Sequence, residues 1–423
     1  MVNKTKTINF AYFFVCIITF LFVYKSGYIL YPDSYGYMEV VLIRSFGYPL
    51  FLSMHKIVFG INYLYYVVFT QLIFILIGVF FLLKTIKNYL FSNSLYLFFL
   101  FLVLIMPVFF QNKVANSILS EGLSYAFYLL FLSVFFNLIL AKSQTYKQYF
   151  WAAFILFLLI NIRGQFLFLI PLLLFVVLLK QYQKKLAFKN VLIALLLVIS
   201  VPILSILSDK TYHKIQHNHF TSTPWTGIQL AAVPMFVSQE KDSILFKNDL
   251  EKKYFLYIYK QLEKEKVLKS QLQTGTYDFT FYYDNFGVIC NETLSNYGGT
   301  FFKNESIDQR VIKNDKITFA ITFPLLKAHF VDWFSLLFKN MYVNFFSISF
   351  LVTFIVLFGI ALFGFIQTKS NINLLLLIFS LLILLNLLLV AIVEPIIDRY
   401  IFYNHWIFLV IIVYLLEKKS VKI

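Results

Sequence analysis

Long apolar runs, parted by short Lys-containing breaks, dominate this chain. They fall at roughly residues 8–24, 63–83, 95–110, 118–140, 149–161, 165–179, 190–207, 346–366, 372–393 and 401–416. Runs of about 20 residues with almost no charge are too uniform for the one-sided helix of a soluble core. They match the length a helix needs to cross a hydrocarbon layer. The pattern predicts an all-α polytopic membrane protein of about ten spans. The fifth and sixth runs are short. They read as a broken pair around Asn161-Ile162-Arg163-Gly164-Gln165, a break that lipid tolerates only where it faces protein or water.

One long stretch, 208–345, is polar and separates an N-terminal membrane module (1–207) from C-terminal membrane helices (346–423). Within it, 248–273 mixes charges with Tyr and Leu at helical spacing and predicts a solvated helix. Residues 274–299 carry Gly275, Gly287, Gly298 and Gly299 and predict loop with short strands. Residues 317–346 predict a helix running back into the membrane.

Composition sharpens the membrane reading. Only 13% of the 423 residues are charged, against about a quarter in soluble domains, and the mean hydropathy is +0.79. The first run lacks a good cleavage site, since Ser26-Gly27-Tyr28 is a poor one, and many more runs follow. The net charge of +16 does not point to nucleic acid, because the positive residues are spread over short loops. One set of loops holds Lys4, Lys6, Lys84, Lys87, Lys142, Lys147, Lys180, Lys184, Lys185, Lys189, Lys369, Lys418, Lys419 and Lys422 against Glu417 alone. The alternate set holds Lys113, Arg163 and the pair Asp398-Arg399. That bias predicts cytoplasmic termini and an extracytoplasmic 208–345 region. Abundant Lys, Asn, Ile and Phe suggest a bacterial source, hence the bacterial cytoplasmic (inner) membrane. Cys16 lies in a span and Cys290 in the polar region, so no disulfide framework is available.

The charges at the predicted outer lip are the candidate chemistry. Asp33, in the first loop (25–62), can cap a helix over 34–46 by accepting backbone amides. That helix would lie in the interface on Tyr35, Met38, Val41 and Leu42. The same carboxylate can act as a general base, with Tyr35 and Tyr37 in support. Arg163 can bind a lipid phosphate bidentately, snorkel to head groups, or pair with Glu121. Arg399 has the same options, with Asp398 and Glu394 as nearby partners. Arg44 and Lys113 read as head-group anchors or further donor contacts. His213, His217 and His219 could share a metal or steer a head group, and Asp33 with Glu121 could jointly hold a divalent cation. No metal ligand set is assigned. Gly-rich phosphate loops, nucleophile elbows and zinc protease signatures are missing from the sequence.

Asp33 and Tyr37, followed by Gly47-Tyr48-Pro49-Leu50, resemble the first outer loop of the GT-C glycosyltransferase superfamily, which includes protein O-mannosyltransferases and the aminoarabinose transferase of lipid A. Ser120-Glu121-Gly122-Leu123, Arg163, and Glu394-Pro395-Ile396-Ile397-Asp398-Arg399-Tyr400 are similar to further elements of that family. The mannosyltransferases usually show an Asp-Glu pair where this chain has Asp33-Ser34. The resemblance implies a GT-C-like fold and an inverting sugar transfer from a polyprenyl-phosphate donor. The acceptor would be a glycan, lipid or protein, the partners would include membrane lipids, and nucleic acid would not be among them. Asp33 would be the base. Arg163, Arg399, Arg44 and Lys113 would be donor contacts. Glu121, Glu394, Tyr400 and His213 would support them. Two other classes stay open. An O-antigen-type polymerase or ligase would rely on loop residues such as His213, His217 and Arg310. A lipid-linked sugar flippase would carry repeated halves, of which no sign is seen.

Overall fold

The computed structural model describes residues 2–110, 113–141, 144–183, 188–343 and 347–420, with side chains from Phe10 to Tyr414. Lys142, Lys184, Lys185 and Lys422 of the charge-bias set lie outside the described residues, and so do 344–346. The helices are α1 (Val2–Ser26), α2 (Pro32–Met38), α3 (Gly47–Phe59), α4 (Tyr63–Tyr89), α5 (Ser94–Phe109), α6 (Ser120–Leu140), α7 (Tyr146–Ile162), α8 (Leu169–Tyr182), α9 (Phe188–His217), α10 (Thr226–Val237), α11 (Asp249–Lys264), α12 (Asp278–Phe286), α13 (Gly298–Thr300), α14 (Ile307–Ala328), α15 (Phe330–Val343), α16 (Ile348–Thr368), α17 (Asn371–Val393), α18 (Asp398–Ile401) and α19 (Trp406–Ser420). Among the described residues there is no strand, only an isolated bridge between Ile29 and Ser117.

This is an all-α, multi-pass membrane protein. Among the described residues, six helical segments are long and apolar enough to cross a bilayer: Gly47–Tyr89, Ser120–Leu140, Gly164–Tyr182, Phe188–His217, Ile348–Thr368 and Asn371–Val393. A seventh candidate is the bent pair α14 and α15. The remaining expected runs also form helices, three of them the shorter segments Phe10–Ser26, Ser94–Phe109 and Tyr146–Ile162.

The chain divides into two compact units. The first comprises Met1–Asp209, Ile355–Asn386 and Asp398–Ile423. Its axis is the contact between α4 and α6. Gly78 lets the α4 backbone approach α6 so closely that a Cβ there would sit 2.7 Å from the Ala126 carbonyl oxygen. Further along, the hydroxyls of Thr85 and Ser133 share a hydrogen bond of 2.9 Å. The Trp406 ring of α19 packs edge-on against Phe136 of α6 and Phe379 of α17.

The second unit comprises Lys210–Phe354 and Leu387–Ile397. Its core joins Phe236 of α10, Tyr254, Phe255 and Ile258 of α11, Ile289 and Leu294, and Ile321 and Leu325 of α14. Asn314 fastens it. The Tyr254 hydroxyl donates to Asn314 Oδ1 at 2.6 Å, and Asn314 Nδ2 donates to the Leu294 carbonyl at 2.8 Å.

Several expectations are corrected here. Residues 278–297 are helical, with α12 followed by a π-helical stretch, Gly287–Tyr297, in place of loop and strands. The Asn314 amide caps that stretch and its apolar side chains are buried, so tertiary packing overrides its glycines. Helix α11 is amphipathic, not solvated all round, because Tyr254, Phe255, Ile258, Tyr259 and Leu262 are buried. The single helix expected over 317–346 breaks at His329 into α14 and α15, bent by 100°. The helix expected over 34–46 ends at Met38, because Val40 takes a left-handed backbone (φ 56°) that a β-branched residue cannot carry within a helix.

Candidate active site

Three short devices bring the first loop, the start of α6 and the end of α7 together within the first unit. Asn116 Nδ2 donates to the Val23 and Gly27 carbonyls at 2.9 and 2.5 Å. The Ile29 amide donates to the Asn116 carbonyl at 2.8 Å. This ties the exit of α1 to the turn before α6. Gln71 of α4, fully buried, donates to the Ala115 and Ser117 carbonyls at 3.0 and 3.2 Å and accepts from the Tyr48 hydroxyl at 3.1 Å. Gly47 lies against the end of α7, where a Cβ would come 2.6 Å from Asn161 backbone atoms.

Asp33 emerges at the second position of α2. It is not the cap. Tyr31 takes the capping position with an extended backbone, and the Ser34 hydroxyl accepts the Tyr31 amide at 2.9 Å. The Asp33 carboxylate is thereby left for long-range partners. Arg44 Nη2 donates to Oδ1 at 2.7 Å. Arg399 Nη1 and Nη2 both donate to Oδ2 at 3.2 Å. Partial burial raises the carboxyl pKa, but the charges and hydrogen bonds of Arg44 and Arg399 outweigh it and hold the group below the usual carboxylate range.

Glu121, at the buried first turn of α6, binds the other side of the cluster. Arg163 Nη1 lies 3.0 Å from Glu121 Oε1, and Arg399 Nε lies 3.7 Å from the same oxygen. The second oxygen, Oε2, is buried and has no hydrogen-bond partner among the described residues. Arg163 is placed by an extended backbone (φ −155°, ψ 113°) where α7 stops. It also donates to the Ser120 hydroxyl at 3.0 Å and to Gln165 Oε1 at 2.7 Å. Gln165 in turn donates to Asn386 Oδ1 at 3.0 Å and to the Tyr400 carbonyl at 2.7 Å. The break between α7 and α8 therefore faces protein.

Aromatic rings line the arginines. The Tyr400 ring carries Arg163 and Arg399 over it, each guanidinium carbon 5.0 Å from the centroid. Its hydroxyl accepts from Arg399 Nη2 at 2.9 Å. Arg44 lies 4.7 Å from the Tyr37 centroid. The Tyr37 hydroxyl shares a 3.3 Å hydrogen bond with Ser120. Three guanidinium groups thus share two carboxylates, an excess of one positive charge within a set of polar groups that water reaches only in part. Such a set can order a hydroxyl through the carboxylates and hold a phosphate through the arginines.

Of the residues expected at the site, Asp33, Arg44, Glu121, Arg163, Arg399, Tyr37 and Tyr400 converge. Arg44 is an ion-pair partner of Asp33. The carboxylates that Arg399 reaches are Asp33 and Glu121, while Asp398 is exposed. Arg399 stands between Asp33 and Glu121, within ion-pair distance of both, and Arg44 and Arg163 pair with them from the other sides, so the two carboxylates face guanidinium groups. Lys113 does not join the cluster: its ammonium lies 5.3 Å from the Phe22 ring centroid. Tyr35 is exposed. Glu394 and His213 belong to the second unit. The Glu394 carbonyl accepts from Asn340 at 2.9 Å. His213 is buried, not solvated, bonded to the Thr221 carbonyl at 3.0 Å and packed on the His217 ring, which pairs with Asp308. Among the described residues no group of three His, Cys, Asp or Glu side chains is placed to hold a metal.

Ser120, Gln165 and Asn386 were missed as site residues. Asn386 carried a signal, as a lone amide within an apolar run. Comparison with protein-family models, with curated proteins and with solved structures finds no match for this chain.

Proposed function

We propose that this chain is a membrane glycosyltransferase of GT-C type with about ten spans and both termini cytoplasmic. It moves a sugar from a polyprenyl-phosphate donor to a hydroxyl acceptor at the outer face of a bacterial cytoplasmic membrane. The observation that carries this reading is the meeting of Asp33, Glu121, Arg44, Arg163 and Arg399 in one cluster. These residues come from the first loop, two mid-chain helix ends and the segment before the last helix.

In the proposed reaction the acceptor hydroxyl oxygen attacks the anomeric carbon as the bond from that carbon to the phosphate oxygen breaks. The bonding electrons leave with the phosphate. Arg163 and Arg399 neutralise the charge that grows there. Asp33, ionised and doubly paired, is a weak base while both arginines hold it. A donor phosphate competes for Arg399 and Arg44, and each contact it takes over raises the basicity of Asp33. The carboxylate then receives the hydroxyl proton, and the configuration at the anomeric carbon inverts. The unpartnered Oε2 of Glu121 is an open acceptor for a sugar or acceptor hydroxyl.

The test is transfer of radiolabelled sugar from a polyprenyl-phosphate donor by the protein reconstituted in lipid. Asp33→Asn and Arg163→Gln should each abolish most transfer while the protein still inserts. Turnover by Asp33→Asn close to that of the unmodified chain would remove this mechanism. Loss on His213→Ala with Asp33→Asn unaffected would favour an O-antigen-type polymerase or ligase.

A further inference from the structure

Among the described residues, the bent pair α14 and α15 leaves a series of large apolar side chains exposed. Phe319 and Phe323 are exposed on α14, and Phe330, Val331, Phe334 and Phe338 on α15. Phe330, Phe334 and Phe338 recur every four residues, so they form one stripe along the helix. Exposed Lys316 and Lys327 flank the apolar positions of α14. The opposite side of α15 is buried through Leu336, Leu337 and Asn340.

Two further observations fix where this helix lies. Asn340 clamps it to the C-terminal end of the candidate span α17. Asn340 Nδ2 donates to the Ala391 and Glu394 carbonyls at 3.2 and 2.9 Å, and its Oδ1 accepts the Ile396 amide at 2.9 Å. In addition, α15 ends at Val343 and the candidate span α16 begins at Ile348, a connection that reaches at most about 17 Å when fully extended. The C-terminal end of one candidate span and the start of another thus lie beside α15.

We infer that α15 is an in-plane membrane helix, its Phe330–Phe334–Phe338 stripe sunk among the acyl chains at the lipid boundary, with Lys327, beside the bend, reaching anionic head groups. Apolar burial in the upper acyl region with lysines at the head groups is the arrangement of an interfacial helix. The 100° bend at His329 then turns α14 away from the surface so that α15 can lie along it. The pair is on this reading not a seventh span. The inference is independent of the proposed reaction.

The test uses the full chain in nanodiscs containing phosphatidylglycerol and phosphatidylcholine, with Cys16→Ser and Cys290→Ala to remove native thiols. Spin labels are attached at Phe334→Cys or, in a second protein, at the most exposed position, Val331→Cys. A label at Lys253→Cys on α11 serves as the water-exposed reference. At positions 334 and 331 collisions with dissolved oxygen should exceed those with a water-soluble nickel complex, the reverse of the order at 253. Nickel access equal to that at 253 would overturn the inference. So would protection from both reagents, which would mean that protein covers the face.

Discussion

Both terminal nitrogens of Arg399 reach the same oxygen of Asp33, across 366 positions of sequence. Arg44 holds the other oxygen. A carboxylate fixed on both sides by guanidinium groups has a defined direction, which free rotation in a loop would not give it. Replacing Asp33 by Asn keeps the shape and removes the charge. If Asp33 is the base of a sugar transfer, the rate falls by about 10²–10⁴-fold. Radiolabel transfer in proteoliposomes, normalised to inserted protein, checks this.

Acid stability reports the same pair. Because Asp33 titrates below its ordinary range in the folded protein, its ionised form stabilises the fold. That contribution is complete above the unfolded value, about 3.9, and disappears as pH falls through the folded value. Arg399→Gln removes one of the two cations and lets the folded value rise. The variant should therefore be less stable near neutral pH and lose less further stability on acidification, its acid limb shallower and ending at a higher pH than that of the unmodified chain. Thermal unfolding in detergent across an acid pH series measures the difference. Coincident acid limbs would show that Arg399 does not hold Asp33 in solution.

Glu121 stands between Arg163 and Arg399 at 5% side-chain exposure. Glu121→Ala leaves Arg163, itself 13% exposed, with a largely buried charge and no carboxylate. Breaking a buried pair from one side costs about 3–5 kcal/mol. A drop in thermal midpoint should be large for Glu121→Ala and much smaller for Glu121→Gln, which keeps an acceptor for Arg163.

Gly47 and Gly164 make a matched comparison. A Cβ at Gly47 would strike the Asn161 backbone at 2.6 Å, whereas nothing lies within 4 Å of one at Gly164. Gly47→Ala should destabilise by about 1–3 kcal/mol, the cost of overpacking, and should displace the α7 end that presents Arg163. Gly164→Ala should be close to neutral. Thermal unfolding of the two variants side by side decides the point.

The helical character of the long apolar runs was legible, because a single segment within lipid can satisfy all its backbone hydrogen bonds only as a helix. The 208–345 region was misjudged in detail for the converse reason. Its helices are held by tertiary contacts, such as Asn314 with Tyr254 and Leu294, and neither local propensity nor glycine content announces such contacts. The clustered charges Asp33, Glu121, Arg163 and Arg399 were legible as candidate site residues, because a chain within lipid cannot leave such charges unpartnered. The pairing of Arg163 with Glu121 was among the options read from the sequence, but the partners of Arg399 were not, since sequence neighbours such as Asp398 looked better placed than Asp33. The loop geometry was equally hidden: an Asp near a helix start reads as a cap until Tyr31 and Ser34 are seen to fill that role.

The span of sequence between Asp33 and Arg399 also sets an order of events during synthesis. Asp33 leaves the ribosome with Arg44 only eleven positions behind it, so half of its neutralisation is local and immediate. The rest waits until Arg399, 366 positions further on, has been made. A nascent chain halted anywhere before residue 399 carries an incomplete cluster.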